Sequence, residues 1–75
     1  MTDSVYKVVE IIGTSAQSWE HAAKLAVETA SKSLRDLRVA EVMQQDLVIN
    51  AGQVEAYRTK LKISFKYQGG EGGGE

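Results

Sequence analysis

The residues best suited to chemistry lie in the second half of this 75-residue chain. Between residues 37 and 49, Glu41, Gln44, Gln45 and Asp46 carry carboxylate and amide oxygens. These are hard donors of the kind that hold calcium and other divalent cations. A single strand presents only part of such a set to one ion, so a site using Glu41 and Asp46 needs symmetry-related copies to complete it. Between residues 54 and 67, Arg58, Lys60, Lys62 and Lys66 share one parity and form a basic stripe. Such a stripe can hold phosphates or other anions. The plainer reading is a solvated face whose bases pair with cross-strand acids such as Asp46. Trp19 has the ring to stack on a planar ligand, yet its place near a helix start beside alanines favours packing.

Other chemistries find no support. There is no cysteine, which excludes disulfides and thiolate metal sites. His21 is the one histidine, so no His-rich cluster forms, and it reads as a surface or interface residue. A serine nucleophile needs a base within reach, and His21 near Ser18 is too generic a pairing to suggest one. Gly13 stands alone and the glycines of the tail precede no helix, so there is no phosphate-binding loop. No EF-hand loop appears. The chain reads as a binding protein and not an enzyme.

Size sharpens that reading. One domain is all that 75 residues hold, placed at 1–68, with 69–75 as a flexible glycine-rich tail. A chain this short buries only about 60% of its unfolded surface. Without disulfides or metal clusters, self-association is the remaining route to stability. The net charge is −1; without Glu71 and Glu75 in the tail, nine basic residues face eight acidic ones. Bulk charge therefore points to neither nucleic acid nor membrane. The basic stripe also lacks the exposed aromatics that stack on single-stranded nucleic acid. Apolar runs are too short to span a bilayer, and Met1-Thr2-Asp3-Ser4 opens no secretory signal. A cytoplasmic protein is expected.

The elements that must carry these residues are legible from periodicity. Residues 4–13 read as a strand, with Val5, Val9 and Ile11 on one parity and Tyr6, Val8 and Ile12 on the other. Both faces are apolar, so both should be covered, one of them by a neighbouring subunit. Ser15 or Ser18 caps a helix over 18–34. Trp19, Ala22, Ala23, Ala26, Ala30 and Leu34 line one face of it, and Glu20, Lys24, Glu28 and Lys32 line another. The alanines are small enough to let that face approach a sheet closely. Residues 37–49 and 54–67 read as two long strands joined at Asn50-Ala51-Gly52-Gln53, with Asn50 and Gly52 expected at positive φ. The fold class is α+β, in the order strand, helix, strand, strand.

The sequence also resembles a known family. Val5-Tyr6-Lys7-Val8-Val9-Glu10-Ile11-Ile12-Gly13-Thr14-Ser15 resembles the opening of the dodecins. The likeness continues through the helix, Ser33-Leu34-Arg35, Ala40-Glu41-Val42 and Leu61-Lys62-Ile63-Ser64-Phe65-Lys66, covering about residues 4–67. It implies a three-stranded antiparallel sheet wrapped partly around one helix, and twelve copies assembled as a hollow homododecameric shell. It also implies a small ligand held at subunit interfaces, in most members a pair of flavins on which no chemistry is done. The family flavin site maps at or near Val39, Arg58, Gln44 and Gln45. Flavin-binding dodecins carry a stacking tryptophan where this chain has Val39, and a glutamine that bonds the flavin's polar edge where it has Arg58. An aromatic stacking contact contributes about 0.5–1.5 kcal/mol beyond area burial, and about 1.4 kcal/mol is tenfold in affinity. Tight flavin binding is therefore not expected. Dodecin-like proteins without that tryptophan include calcium binders, and this chain is more similar to them, with Trp19 following Ser18 and arginine at position 58.

Overall fold

A computed structural model describes residues 4–67. The glycine-rich tail expected at 69–75 lies outside them. The order is β1 (Tyr6–Ser15), α1 (Trp19–Ala30), β2 (Leu37–Asn50) and β3 (Gln53–Lys66). The sheet runs β1-β3-β2, so β3 lies at the centre, antiparallel to both neighbours. The helix crosses from β1 to β2 over one face, lying on β1 and β3 and scarcely reaching β2.

The core is small. Leu61 and Ile63 of β3 are buried beneath Ala22 and Ala26 of the helix. Val9, Ile11, Ala23, Val27, Ala30 and Leu37 pack around them. Gly13 is what lets the helix come this close. It does not end the strand as the sequence suggests; it sits within β1, buried. A Cβ there would collide with the Ala22 carbonyl and press on the Ala26 methyl.

The helix is shorter than its periodicity predicts. Ser18, not Ser15, is the N-cap, and its Oγ accepts from the His21 backbone N–H at 3.0 Å. At the other end Lys32 and Ser33 bond three residues back, to the Thr29 and Ala30 carbonyls, which tightens the last turn. The Ser31 hydroxyl donates to the Glu28 carbonyl at 2.8 Å. Serines compete for backbone carbonyls in this way, and regular helix stops at Ala30.

The hairpin turn also differs from expectation. Asn50 pairs with Gln53, leaving a two-residue loop. Such loops follow the twist of the strands when both central residues have positive φ. Those residues are Ala51 (φ 53°) and Gly52 (φ 77°), while Asn50 stays in the strand. Alanine in the left-handed region costs about 1–2 kcal/mol.

The two long strands make the molecule elongated, 51 × 21 × 14 Å with a radius of gyration of 15.1 Å. A compact chain of this length would have about 11 Å. Among the described residues, no second layer covers the face of the sheet away from the helix. Val5, Tyr6, Val8 and Ile12 are exposed there or at its margin, as is Val39 at 61%, and Ile49 and Val54 are exposed beside the hairpin turn.

Candidate functional site

Residues paired directly across an antiparallel ladder project to the same face. The register therefore sorts the polar side chains into rows across the outer face, away from the helix. Thr14, Arg58 and Asp46 form one row. Ile12, Lys60 and Gln44 form the next, and Glu10, Lys62 and Glu41 the one after. Val8, Ser64 and Val39 follow.

Strict alternation along β2 would put Glu41 on the opposite face from Gln44 and Asp46. A register shift between Val42 and Gln44 leaves Met43 unpaired and restores Glu41 to their side. Gln45, alternating between Gln44 and Asp46, faces the helix side, opposite Thr59. Of the residues singled out from sequence, Val39, Glu41, Gln44, Asp46 and Arg58 thus share a face, and Gln45 does not. Sharing a face is not the same as meeting. Six β3 residues separate the Val39 row from the Arg58 row, about 20 Å at 3.3 Å per residue. Glu41 and Asp46 lie four β3 residues apart, about 13 Å, too far for one chain to put both on one ion.

Asp46 and Arg58 do meet. Arg58 Nε donates to one carboxylate oxygen at 2.7 Å and Nη2 to the other at 2.8 Å. This is the two-pronged geometry that makes guanidinium–carboxylate pairs specific. The Arg58 guanidinium hydrogen-bonded to Asp46 holds that carboxyl below its ordinary value, against a smaller opposing effect of desolvation. Arg58 is raised in turn by the same bond. The basic stripe is thus partly spent on cross-strand acids, since Lys60 Nζ also lies 3.6 Å from Glu10.

Behind this pair the helix start is pinned to the sheet. Trp19 Nε1 donates to the Asp46 carbonyl at 3.0 Å. Its ring meets Tyr57 edge-on, with centroids 5.3 Å apart. Thr59, fully buried, donates its hydroxyl to the Trp19 carbonyl at 2.9 Å. Trp19 is a packing residue that holds Asp46 from behind. His21 is also more structural than expected: its Nδ1 lies 2.7 Å from Ser15 Oγ, which accepts from the Gln17 N–H.

A shallow depression of about 200 Å³ opens beside the ion pair, lined by Ile12, Gln44, Asp46, Arg58 and Lys60. Sequence reasoning found three of these as site residues and Lys60 as part of the basic stripe. It missed Ile12, whose signal was its parity with Glu10 on the apolar outer side of β1. Among the described residues no cluster of three or more His, Cys, Asp or Glu side chains is placed to hold a metal.

Among the described residues this face carries charge-paired polar rows with apolar side chains at their margins. Comparison with known proteins agrees with the architecture. The chain belongs to the dodecin family, whose model matches residues 5–68. It is 52% identical over 63 residues to the calcium dodecin of Mycobacterium tuberculosis, a match covering 84% of this chain and 89% of that protein. A crystal structure of that calcium dodecin, described as a calcium-chelating immunodominant antigen with a novel calcium-binding site, superposes with a TM-score of 0.78. There the identity is 48%, covering 92% of this chain and 99% of the other. Dodecin from Streptomyces coelicolor superposes with a TM-score of 0.85 at 37% identity, covering 91% and 97%. The α+β fold expected from sequence is the fold of these relatives. No helix among the described residues is long and apolar enough to cross a membrane.

Proposed function

We propose that the protein is a non-enzymatic, cytoplasmic homododecameric shell that holds calcium between its copies. The observation that carries the cation is the bulge at Met43, which gathers Glu41, Gln44 and Asp46 on one exposed face. Their oxygens have the chemistry calcium prefers, and calcium takes six to eight of them. One copy supplies Asp46 and Gln44 from adjacent rows, and the Glu41 carboxylate comes from a second copy. Such a site exists only in the assembly. The similarity to a calcium dodecin supports the choice of ion.

Assembly has its own support. Among the described residues, the apolar side chains of the outer face lack a second layer and the buried core is very small. A neighbouring copy supplies the missing layer. When calcium is bound it supplies positive charge and a geometry that joins copies, while the chain's residues orient their oxygens and keep the interface paired.

Flavin is not the favoured ligand. Val39 offers no ring, and the donors of Arg58 are turned to Asp46. The test is a thermal melt with calcium and with a chelator. A ligand of the native state adds RT ln(1 + [L]/Kd), about 2.7 kcal/mol at a hundredfold excess over Kd. Calcium should raise Tm and chelator should lower it; coincident melts would contradict the reading.

A further inference from the structure

We infer that the far end of the β2–β3 hairpin is a docking arm that seats on the uncharged Val8–Ser64–Val39 row of a second copy of this chain, an inference that rests on the assembly reading above. β1 stops pairing at Ser15, opposite Tyr57. There the helix start contributes Trp19, which meets Tyr57 and the Asp46 carbonyl. Beyond that point residues 47–50 and 53–56 pair with each other, and among the described residues no third strand joins them. A two-stranded ribbon standing alone is marginally stable in water at best. Its composition is nevertheless that of an interior. Across residues 47–57 the one charged side chain is that of Glu55. Leu47 and Tyr57 project to the helix side, Val48 and Ala56 to the outer side. Beside the turn, Ile49 is 66% exposed and Val54 50%. A ribbon that is apolar on both faces and open along both edges has none of the charges or prolines that keep free strands from associating.

Charge selects the surface that receives it. An apolar ribbon laid over charged groups would strip them of water and give nothing back. Three rows of the outer face carry such groups: Arg58 with Asp46, Lys60 beside Gln44, and Lys62 with Glu10 and Glu41. The row of Val8, Ser64 and Val39 carries none, and both valines are exposed. The Ser64 hydroxyl already donates to the Val39 carbonyl, so this row asks for no polar partner. Arm and row cannot meet within one chain. Eight β3 residues separate Ala56 from Ser64, about 26 Å at 3.3 Å per residue. Each copy thus carries an arm at one end of its sheet and a seat at the other, and a second copy supplies the match for each.

The experiment is disulfide cross-linking. The chain has no cysteine, so introduced thiols report only on the chosen pair. Val39→Cys in the seat and Val48→Cys on the outer side of the arm go into one chain, with each single variant beside it. A disulfide needs Cα atoms within about 7 Å, so these two sites cannot bridge inside one copy. Mild oxidation of the assembled double variant should give covalent dimers and larger species on a non-reducing gel, while the single variants stay monomeric there. I49S combined with V54S is the second test, and it decides the matter if the cysteine pair does not assemble. Both positions are exposed, so the chain should keep its circular dichroism, while native mass spectrometry finds its assembly dissociating at concentrations about tenfold higher than wild type. A double-cysteine variant that assembles without cross-linking, or cross-links no better than a single variant, would overturn the inference. So would a folded I49S/V54S chain that holds together like wild type. A wild type of one or two chains would overturn the assembly reading itself, and this inference with it.

Discussion

Asp46 is where the contacts of the candidate site converge. Its carboxylate takes Arg58 and its carbonyl takes the Trp19 indole N–H. The ion pair is exposed, and exposed pairs contribute little to stability on their own. Its main effect is to fix which groups face the depression. It does carry a pH signature. Arg58 holds the Asp46 carboxyl below its ordinary 3.8. A carboxyl depressed in the folded state stabilises fully above its unfolded pKa, and that contribution disappears as pH falls through the folded value. The Tm difference between wild type and D46N should stay constant from neutrality to about pH 4 and shrink at lower pH. A difference that persists unchanged into strong acid would show that the pair has no energetic role. The sequence named both partners, because alternation set Arg58 in a basic stripe and Asp46 was a cross-strand acid within reach. It could not show that Trp19 braces Asp46 from behind, since a contact across 27 residues leaves no local pattern.

At the scale of elements, the helix and the sheet are fitted through small residues. Ala22 and Ala26 spaced four apart announced a close approach in the sequence, and the structure bears this out with both buried. The complementary residue was harder to read. A lone glycine after an apolar run looks like a strand end, whereas Gly13 is the place where the helix backbone rests on β1. Gly13→Ala should destabilise the protein by about 1–3 kcal/mol, the usual cost of forcing extra volume into a packed contact. Chemical denaturation would measure it, and a variant as stable as wild type would show that the contact yields. The three register shifts of β2 were likewise invisible. A bulge changes pairing without changing composition, so strict alternation would separate Glu41 from Gln44 and Asp46, with which the register groups it. That error matters for function, because the bulge at Met43 is what groups the oxygen donors. The helix end was misplaced for a related reason: the apolar periodicity ran on to Leu34, while the serines at 31 and 33 redirected the backbone bonds.

At the scale of the whole molecule, the described residues have little to pack against one another. Among the described residues the buried apolar ones are Ala22, Ala26, Leu61 and Ile63, while Val5, Val39 and Ile49 stand more than half exposed. Burial of apolar surface drives association as it drives folding, and each copy that covers another's outer face also brings its polar rows alongside. Assembly and ligand binding are therefore one arrangement in this account. The size argument and the apolar pattern of β1 pointed to partner copies from sequence alone. The number and geometry of those copies were not contained in any periodicity and came only with the family resemblance.

Native mass spectrometry of the purified protein, before and after chelation, tests that account most directly. Twelve chains of 8.2 kDa make about 98 kDa. The account predicts a species of that mass carrying calcium-sized additions that the chelator removes. A species of one or two chains, or a twelve-chain shell carrying flavin-sized additions instead, would contradict it.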